Sequence, residues 1–359
     1  MTKDAVVILG AGAACDVVSL SDATASRPEF RPPLTEDLFS PRFQSILNKY
    51  PDASALAETI RVKPTERSLE SLLRELADDP QKHIAAQFKQ VPLYLQELMG
   101  EVSEHYTTRP SPNYTHLISR LLGGFKRVAF VTLNYDLLLE RVLTLPSFDG
   151  PITDMNWYVR PEWLLVKAHG SVNWGRKFLA WPDVIQSAQG NHNVAELSID
   201  AKEHLYLDLL RQLELTQNLS DEVHILRSHQ LRWKGDEPYY PALAVPVEGK
   251  YGLICPPPHV ETLAEFLRTC VNVLVVGFSA KDKDLLELMR DSLPRCTTFF
   301  LVGKGHQDVT ETNSRLVDGV PQLRAAEGNH FQAFHNGFDA FVRNAGVEHF
   351  VDWSDSFIS

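Results

Sequence analysis

Five short apolar segments constrain the fold more than any other feature of the sequence. They comprise residues 5–9, 128–133, 163–167, 271–276 and 298–302. All are rich in Val, Ile, Leu and Phe, and none alternates cleanly between apolar and polar positions. Strands that are buried on both faces of a parallel sheet have this pattern. The segments therefore predict a parallel sheet with both faces covered.

Helical patterns separate these segments. They cover residues 68–77, 83–104 with an interruption near Pro92, 113–122, 136–143, 261–270 and 282–292. Strands that alternate with helices predict an α/β fold, here a Rossmann-like parallel sheet with helices on both faces. We predict a single domain over residues 1–359 with two insertions. The first, at about 40–125, is helical; the second, at about 175–250, holds an amphipathic stretch and then a loop containing Trp and Pro.

Charge and cysteine content narrow the classes of function. The 359 residues include 35 basic and 46 acidic side chains, a net charge of -11, and no basic run. Phosphate contacts need clustered Lys and Arg, so we expect no direct nucleic-acid binding. The cysteines Cys15, Cys255, Cys270 and Cys296 form no C-x-x-C pair, and we expect neither a disulfide framework nor a zinc site.

The sequence also carries expectations about location. It has no basic segment followed by an apolar core and a cleavage site at its start. No apolar run approaches the roughly 20 residues that a membrane-spanning helix needs. We therefore expect a cytoplasmic protein without a membrane span.

A glycine turn follows the first apolar segment. Gly10, Ala11 and Gly12 stand between this predicted strand and the next helix. Such a turn lets a pyrophosphate approach the backbone at a helix N-terminus. The third glycine of the dinucleotide fingerprint is replaced by Cys15, and no strand with an acidic end follows about 20 residues later. The turn therefore favours a nucleotide over ordinary hydride transfer, and a turn without a ligand is the alternative.

Polar residues also follow three other predicted strands. They are Thr132, Asn134 and Asp136; His169; and Gly277, Ser279, Asp282 and Asp284. Ligands of open α/β sheets bind at the carboxyl ends of the strands, which makes these residues candidates for a site. Five of them also have a structural explanation. Asn134, Asp136, Asp282 and Asp284 can start helices, and His169 can be a buried, hydrogen-bonded histidine.

Taken in order, these motifs resemble those of the sirtuin superfamily. The series is G-A-G at 10–12, T-L-N-Y-D at 132–136, H-G-S-V-N-W at 169–174 and G-F-S-A-K-D-K-D at 277–284. More narrowly, it resembles bacterial sirtuin-like NAD hydrolases of anti-phage defence. The segments P-P-L-T-E-D-L-F at 32–39 and L-I-C-P-P-P-H-V-E at 253–261 are similar to segments of that branch, and residues 331–342 are similar to its closing helix.

The resemblance implies that NAD is a substrate cleaved at the nicotinamide–ribose bond, with no metal required. By this analogy Asn134 binds the ribose hydroxyls or positions water, Asp136 accepts from the nicotinamide carboxamide, and His169 removes a proton. The implied NAD-binding residues are Gly10, Ala11, Gly12, Thr132, Asn134, Asp136, Gly277, Ser279 and Asp282. Deacetylase sirtuins carry four zinc-binding cysteines after the H-G motif, whereas residues 175–250 contain no cysteine. Deacylation is therefore less expected than NAD hydrolysis.

Several alternatives stay open at this stage. The chain can be a sensor that binds NAD or ADP-ribose and gates a partner without turnover, or a protein deacylase or ADP-ribosyltransferase. A dehydrogenase is disfavoured by the incomplete fingerprint. The resemblance also implies a regulated effector that depletes NAD during infection. It further implies a homo-oligomer, or a partner ATPase or nucleic-acid-sensing protein.

Overall fold

The computed structural model describes residues 3–16, 31–62, 68–78, 87–148, 150–179, 197–227, 232–234, 237–247, 252–294, 298–324 and 330–355. Two compact units are present. The first unit comprises Met1–Leu34, Val102–Gly170 and Gly249–Ser359, and the second comprises Thr35–Glu101 and Ser171–Glu248. The single domain with two insertions stays a prediction.

Within the described residues, the strands are β1 (Asp4–Leu9), β2 (Arg127–Thr132), β3 (Trp163–Lys167), β4 (Gly170–Phe178), β5 (Leu219–Ile225), β6 (Trp233–Lys234), β7 (Glu237–Leu243), β8 (Asn272–Val276), β9 (Thr298–Val302) and β10 (His330–Phe334). The helices are α1 (Ala11–Cys15), α2 (Gln44–Leu47), α3 (Pro51–Val62), α4 (Leu69–Ala77), α5 (Val91–His105), α6 (Pro112–Gly124), α7 (Leu138–Leu143), α8 (Ile199–Gln212), α9 (Leu215–Asn218), α10 (Pro257–Leu267), α11 (Lys283–Ser292), α12 (His306–Gly319), α13 (Gly337–Arg343) and α14 (Gly346–Asp355). None of the helices in this part of the chain is long and apolar enough to cross a bilayer.

The first unit contains a six-stranded sheet in the order β10-β9-β8-β1-β2-β3. Every pair in it is parallel. The chain builds outward from β1 through β2 to β3, then returns to the other side of β1 and builds outward from β8 to β10. The order therefore reverses between β1 and β8, which is the switch point where open α/β sheets bind ligands. The predicted Rossmann-like parallel sheet is confirmed, with helices packed around it.

Burial explains why the apolar segments do not alternate. Every residue of β1, including Asp4, is at most 1% exposed, and β3 and β8 are buried along their whole length. Neither face of these strands meets water, so both faces carry apolar side chains. The edge strand β10 was not among the predicted strands. The interpretation of residues 331–342 as a helix is wrong for their first part, because residues up to Phe334 form β10 and α13 begins only at Gly337.

Capping residues set several helix boundaries. The Ser68 hydroxyl accepts a hydrogen bond from the Ser71 N–H at the start of α4. The helix predicted at 261–270 begins earlier, at Pro257, since proline is well suited to the first helical position. The helix predicted from residue 136 begins at Leu138 instead, because Asp136 lies outside it as a side-chain acceptor.

The second unit combines helices with a four-stranded sheet in the order β5-β4-β7-β6, in which β5 pairs antiparallel with β4 and β6 pairs antiparallel with β7. Within the predicted second insertion, the expected loop was wrong, since residues 233–234 and 237–243 are the strands β6 and β7. Two prolines in β7, Pro238 and Pro241, concealed the strand, because proline lacks the N–H that a central strand needs. The H-G-S-V-N-W motif lies largely on β4, where Trp174 is opposite Ile225 on β5.

A buried arginine connects polar groups of the second unit. Arg232 is 2% exposed. Its guanidinium lies 2.7 Å from Glu203 Oε2, donates to Gln96 Oε1 at 3.2 Å and contacts the Tyr50 hydroxyl. The Tyr50 hydroxyl in turn donates to Glu97. The network satisfies charges that would be costly to bury alone.

Replacing Arg232 should therefore destabilise the second unit. We expect Arg232→Met to lower the free energy of unfolding by about 2 kcal/mol or more, because Glu203, Gln96 and the Tyr50 hydroxyl lose a buried donor, while Glu97 is left with Lys49. Arg74→Met is the matched control, since Arg74 pairs with the exposed Asp78 on the same unit, and it should cost less than about 1 kcal/mol. Denaturant titration followed by circular dichroism measures both; equal losses would contradict the assignment.

Candidate functional site

The predicted site residues of the first unit lie at one edge of its parallel sheet. Gly10 follows β1, Asn134 follows β2, His169 follows β3 and Gly277 follows β8. Because these strands are parallel neighbours, their carboxyl ends meet at the same edge. The edge includes the switch point between β1 and β8.

Three glycines bring two backbone segments into contact at this switch point. A Cβ on Gly10 would lie 2.4 Å from the Gly277 carbonyl oxygen, and a Cβ on Gly277 would lie 2.2 Å from the Ala13 nitrogen. Gly277 also has φ +60, a conformation that glycine adopts without strain. The two backbone segments therefore lie too close together for a side chain at Gly10 or Gly277, and both positions require glycine.

The same contact uses hydrogen-bond donors that a phosphate would need. The Gly10 N–H donates to the Val276 carbonyl and the Gly12 N–H to the Gly277 carbonyl, both at 3.0 Å. These two N–H groups are engaged within the protein. Phosphate binding by Gly10, Ala11 and Gly12 stays a prediction. The hydrogen bonds to a phosphate would have to come from donors other than the Gly10 and Gly12 N–H groups.

The segment after β8 has an unusual backbone. Ala280 has φ +56, which is rare for a residue with a Cβ. Ser279 is exposed, and its carbonyl accepts from Arg315 at 3.2 Å. Such strain is often found at functional sites, where the surrounding structure maintains it. The segment leads directly into Asp282 at the start of α11.

Asn134 is held against the glycine turn. Its Nδ2 donates to the Gly10 carbonyl at 3.0 Å, and its own N–H donates to Thr132 Oγ1 at 3.1 Å. The Thr132 hydroxyl donates to the Leu9 carbonyl at 3.1 Å. Asn134 and Thr132 therefore join the ends of β1 and β2. Asn134 is 8% exposed, so only a small part of it can reach a ligand in this conformation.

Asp136 lies deeper than Asn134. Its Oδ1 accepts from the Leu138 N–H at 3.0 Å, while its Oδ2 is buried without a hydrogen-bond partner among the described residues. The side chain thus satisfies the first N–H of α7 from one residue before the N-cap Leu137, which is close to the helix-start role that was its structural explanation. Burial raises the pKa of Asp136, although the charge of Lys167 opposes this. Contact between Asp136 and a carboxamide stays a prediction.

Asp136 belongs to a buried cluster that was not predicted from the sequence. It consists of Tyr114, Asp136, Glu140 and Lys167, each at most 3% exposed. The Lys167 ammonium lies 3.1 Å from Glu140 Oε1 and donates to the Asp136 backbone carbonyl. Burial raises the pKa of Glu140, and burial and then the charge of Asp136 raise that of Tyr114. A lysine at the end of an otherwise apolar strand was the available clue.

His169 and Asp282 form a hydrogen-bonded acid–base pair at the candidate site. His169 Nε2 lies 2.6 Å from Asp282 Oδ2, although 113 residues separate them in the chain. The side chains are 23% and 15% exposed, so the pair is accessible. A carboxylate only accepts, so in the neutral form of the ring Nε2 carries the hydrogen and Nδ1 presents its lone pair, whereas the protonated ring adds a positive charge beside Asp282. The pair is thus arranged like a general base with an orienting carboxylate.

The environment of Asp282 keeps it ionised. Burial alone would raise the pKa of this carboxyl group. The hydrogen bond and charge of His169, together with the Leu285 N–H at 2.7 Å, outweigh burial and lower the pKa below its usual value. The second predicted acidic residue, Asp284, instead accepts from the Gly252 N–H at 3.1 Å. Asp282 therefore belongs to the pair with His169, and Asp284 holds a neighbouring loop.

In the part of the chain that the structure describes, no group of three or more His, Cys, Asp and Glu side chains could hold a metal ion.

No protein-family model matches the chain, and no curated relative does. Solved structures of Sir2 proteins do match over nearly their whole length. A Sir2 enzyme has 12% identity over 99% of this chain and 94% of its own, with a TM-score of 0.40. A Sir2 homologue in complex with NAD has 10% identity over 98% and 91%, with a TM-score of 0.42. A mutant Sir2 homologue in complex with 2'-O-acetyl ADP ribose has 12% identity over 98% and 94%, with a TM-score of 0.44. With TM-scores below 0.5, these likenesses do not assign the chain to a family.

The glycine contact generates one prediction. Gly277→Ala should cost roughly 1–3 kcal/mol for the positive φ alone, and more because the new Cβ meets backbone. Gly150→Ala is the control, since Gly150 has φ +79 but no described residue lies within 4 Å of a Cβ placed on it. We expect the free energy of unfolding to fall further for Gly277→Ala, by at least about 1 kcal/mol. Equal costs in denaturant titrations would argue against the backbone contact.

The pair of His169 with Asp282 generates a second prediction. A lowered carboxyl pKa contributes stability that is fully present above the unfolded value of about 4 and is lost as pH falls through the folded value. Asp282→Asn keeps a good helix cap but removes the charge. The decrease in the free energy of unfolding that Asp282→Asn causes should therefore be largest above about pH 4 and become smaller in acid.

Denaturant titrations between about pH 3 and pH 7 measure this dependence. Asp291→Asn on the same helix is the control, because Asp291 is exposed and pairs with its neighbour Arg290. Its effect should stay below about 1 kcal/mol at every pH. A loss for Asp282→Asn that does not change with pH would contradict the prediction.

Proposed function

We propose that the chain binds NAD at the carboxyl edge of the parallel sheet and hydrolyses its nicotinamide–ribose bond. The observation that carries the proposal is the pair of His169 and Asp282 beside the switch point, with Asn134 on the adjacent strand end. The Tyr135 and His169 rings, 6.4 Å apart, link the two strand ends. The order of four motifs that resemble those of NAD-cleaving sirtuin-like enzymes supports NAD as the substrate.

The reaction requires little covalent participation from the protein. The bond between ribose C1' and the nicotinamide nitrogen breaks, its electron pair leaves with neutral nicotinamide, and water oxygen adds to C1'. The products are nicotinamide, ADP-ribose and one proton. The transition state has oxocarbenium character, so the protein must orient water and stabilise developing positive charge.

The site residues are suited to these tasks. His169 accepts the proton of the attacking water or of a ribose hydroxyl at Nδ1, and Asp282 stabilises the imidazolium that forms. Asn134 offers amide groups to the ribose hydroxyls or to water. Asp136 would accept from the nicotinamide carboxamide through Oδ2, which has no other hydrogen-bond partner in the described residues.

The biological setting follows from the sequence resemblance alone. An enzyme that depletes NAD must stay inactive until it is triggered. The proposal therefore includes a regulated effector of anti-phage defence in the cytoplasm. Its regulation would come through self-assembly, or through a partner ATPase or nucleic-acid-sensing protein.

The test is NAD consumption by the purified chain, alone and with candidate activating partners added, with products separated by chromatography. We expect nicotinamide and ADP-ribose in equal amounts. His169→Ala and Asn134→Ala should each lower the rate by a factor of roughly 10² to 10⁴. His116→Ala is the matched control. His116 forms a comparable pair with Glu348 at 3.0 Å, between α6 and α14, and its loss should leave the rate unchanged.

Other products would identify other functions. NAD binding by calorimetry without turnover, with any partner added, would favour the sensor. Transfer of ADP-ribose to protein, or NAD cleavage only with an acylated peptide, would favour a transferase or deacylase. A folded chain that neither binds nor cleaves NAD would overturn the proposal.

A further inference from the structure

Lys167 is the last residue of β3 and is only 1% exposed. In the register of the sheet it pairs with Thr132, the last residue of β2. Its ammonium donates to the backbone carbonyl of Asp136, so a side chain from β3 holds the backbone that follows β2. This contact reaches directly into the segment that carries Asn134 and Asp136.

Glu140 holds the ammonium from the other side. It lies in the first turn of α7, and its Oε1 is 3.1 Å from Lys167 Nζ. The same turn is capped by Asp136 Oδ1, and the Leu137 N–H donates to Ser103 Oγ at 3.0 Å. Lys167 therefore contacts both the backbone before α7 and a carboxylate within it. Residues 134–138 are fixed between these contacts and the hydrogen bond from Asn134 to Gly10.

Stability alone does not account for this arrangement. Burying an ammonium and a carboxylate is costly, and well-packed apolar residues of similar size often stabilise a protein equally well or better. What an apolar side chain cannot supply is a directed hydrogen bond to the Asp136 carbonyl. The distinctive contribution of Lys167 is thus the geometry of the segment that follows β2.

We propose that Lys167, held by Glu140, is a positioning residue that sets the backbone of residues 134–138 and hence the placement of Asn134 and Asp136 toward the substrate. The inference deepens the proposed function and rests on it. Neither Lys167 nor Glu140 is among the residues that the motifs select.

The test compares Lys167→Met, Glu140→Gln and the double variant. Hydrogen exchange over residues 133–139 reports the segment without any need for activity, and kcat and KM for NAD report its effect on turnover. Arg127→Met is the matched control, because Arg127 pairs with the buried Asp4 at the amino ends of β2 and β1, away from the carboxyl ends that carry Asn134 and His169. Near-UV circular dichroism verifies that each variant is folded.

We expect Lys167→Met to speed exchange over residues 133–139 about 10-fold. It should lower kcat about 10-fold to 100-fold with a smaller change in KM. The double variant also removes the Glu140 charge and leaves only the Asp136 carboxyl, whose pKa burial already raises, so it should fold even where Lys167→Met does not. It should still exchange rapidly, because the hydrogen bond to the Asp136 carbonyl is absent. Arg127→Met should leave exchange over residues 133–139 and kcat as in the natural chain.

Three results would overturn the inference. The double variant could exchange over 133–139 like the natural chain, which would mean that Lys167 only offsets the charge of Glu140. Arg127→Met could speed exchange there equally, or the double variant could fail to fold; both would assign the lysine to general stability. Absence of NAD turnover by the natural chain, even with candidate activating partners added, would instead contradict the proposed function, and the exchange measurement would still decide the role of Lys167.

Discussion

The contact between the Gly10–Gly12 turn and Gly277 is the constraint on which the site depends. The two backbones approach so closely that no side chain could lie between them. Two hydrogen bonds, from the N–H groups of Gly10 and Gly12, join them across the switch point. The contact fixes the start of the segment that runs through Ala280 to Asp282. Because Asp282 meets His169, a glycine contact at the centre of the sheet also places the acid–base pair.

The sequence predicted most of the parallel sheet because burial on both faces leaves a local pattern. Five of its six strands appear as continuous apolar segments. The sixth, β10, contains His330 and Gln332 and lies at the sheet edge, where a strand need not be wholly apolar. Strand β7 was missed for a different reason, since its two prolines are typical of loops. Local sequence patterns indicate burial and hydrogen-bonding capacity. The edge strand β10 departs from the usual pattern of burial, and the proline-containing strand β7 departs from the usual pattern of hydrogen-bonding capacity.

The site was predictable in part, because residue types and their strand-end positions are visible in the sequence while long-range partners are not. Asn134, His169 and Asp282 were selected by chemistry and position. The pairing of His169 with Asp282 depends on the order of strands in the sheet. The reach of Lys167 toward Glu140 depends on how α7 packs after β2. Asp136 was open to two interpretations, a ligand contact or a contact at the start of the next helix. The structure shows the second, a local hydrogen bond from the Leu138 N–H.

The two charged pairs at this edge differ in exposure, and the difference divides their tasks. Lys167 and Glu140 are each 1% exposed, so proton exchange with solvent is hindered and their interaction is only weakly screened. His169 and Asp282 are 23% and 15% exposed, so a ligand or water can reach the imidazole. A general base must exchange its proton within each turnover, whereas a group that holds a backbone segment need not. The accessible pair therefore suits the proposed chemistry, and the buried pair suits the proposed role of holding the segment that carries Asn134 and Asp136.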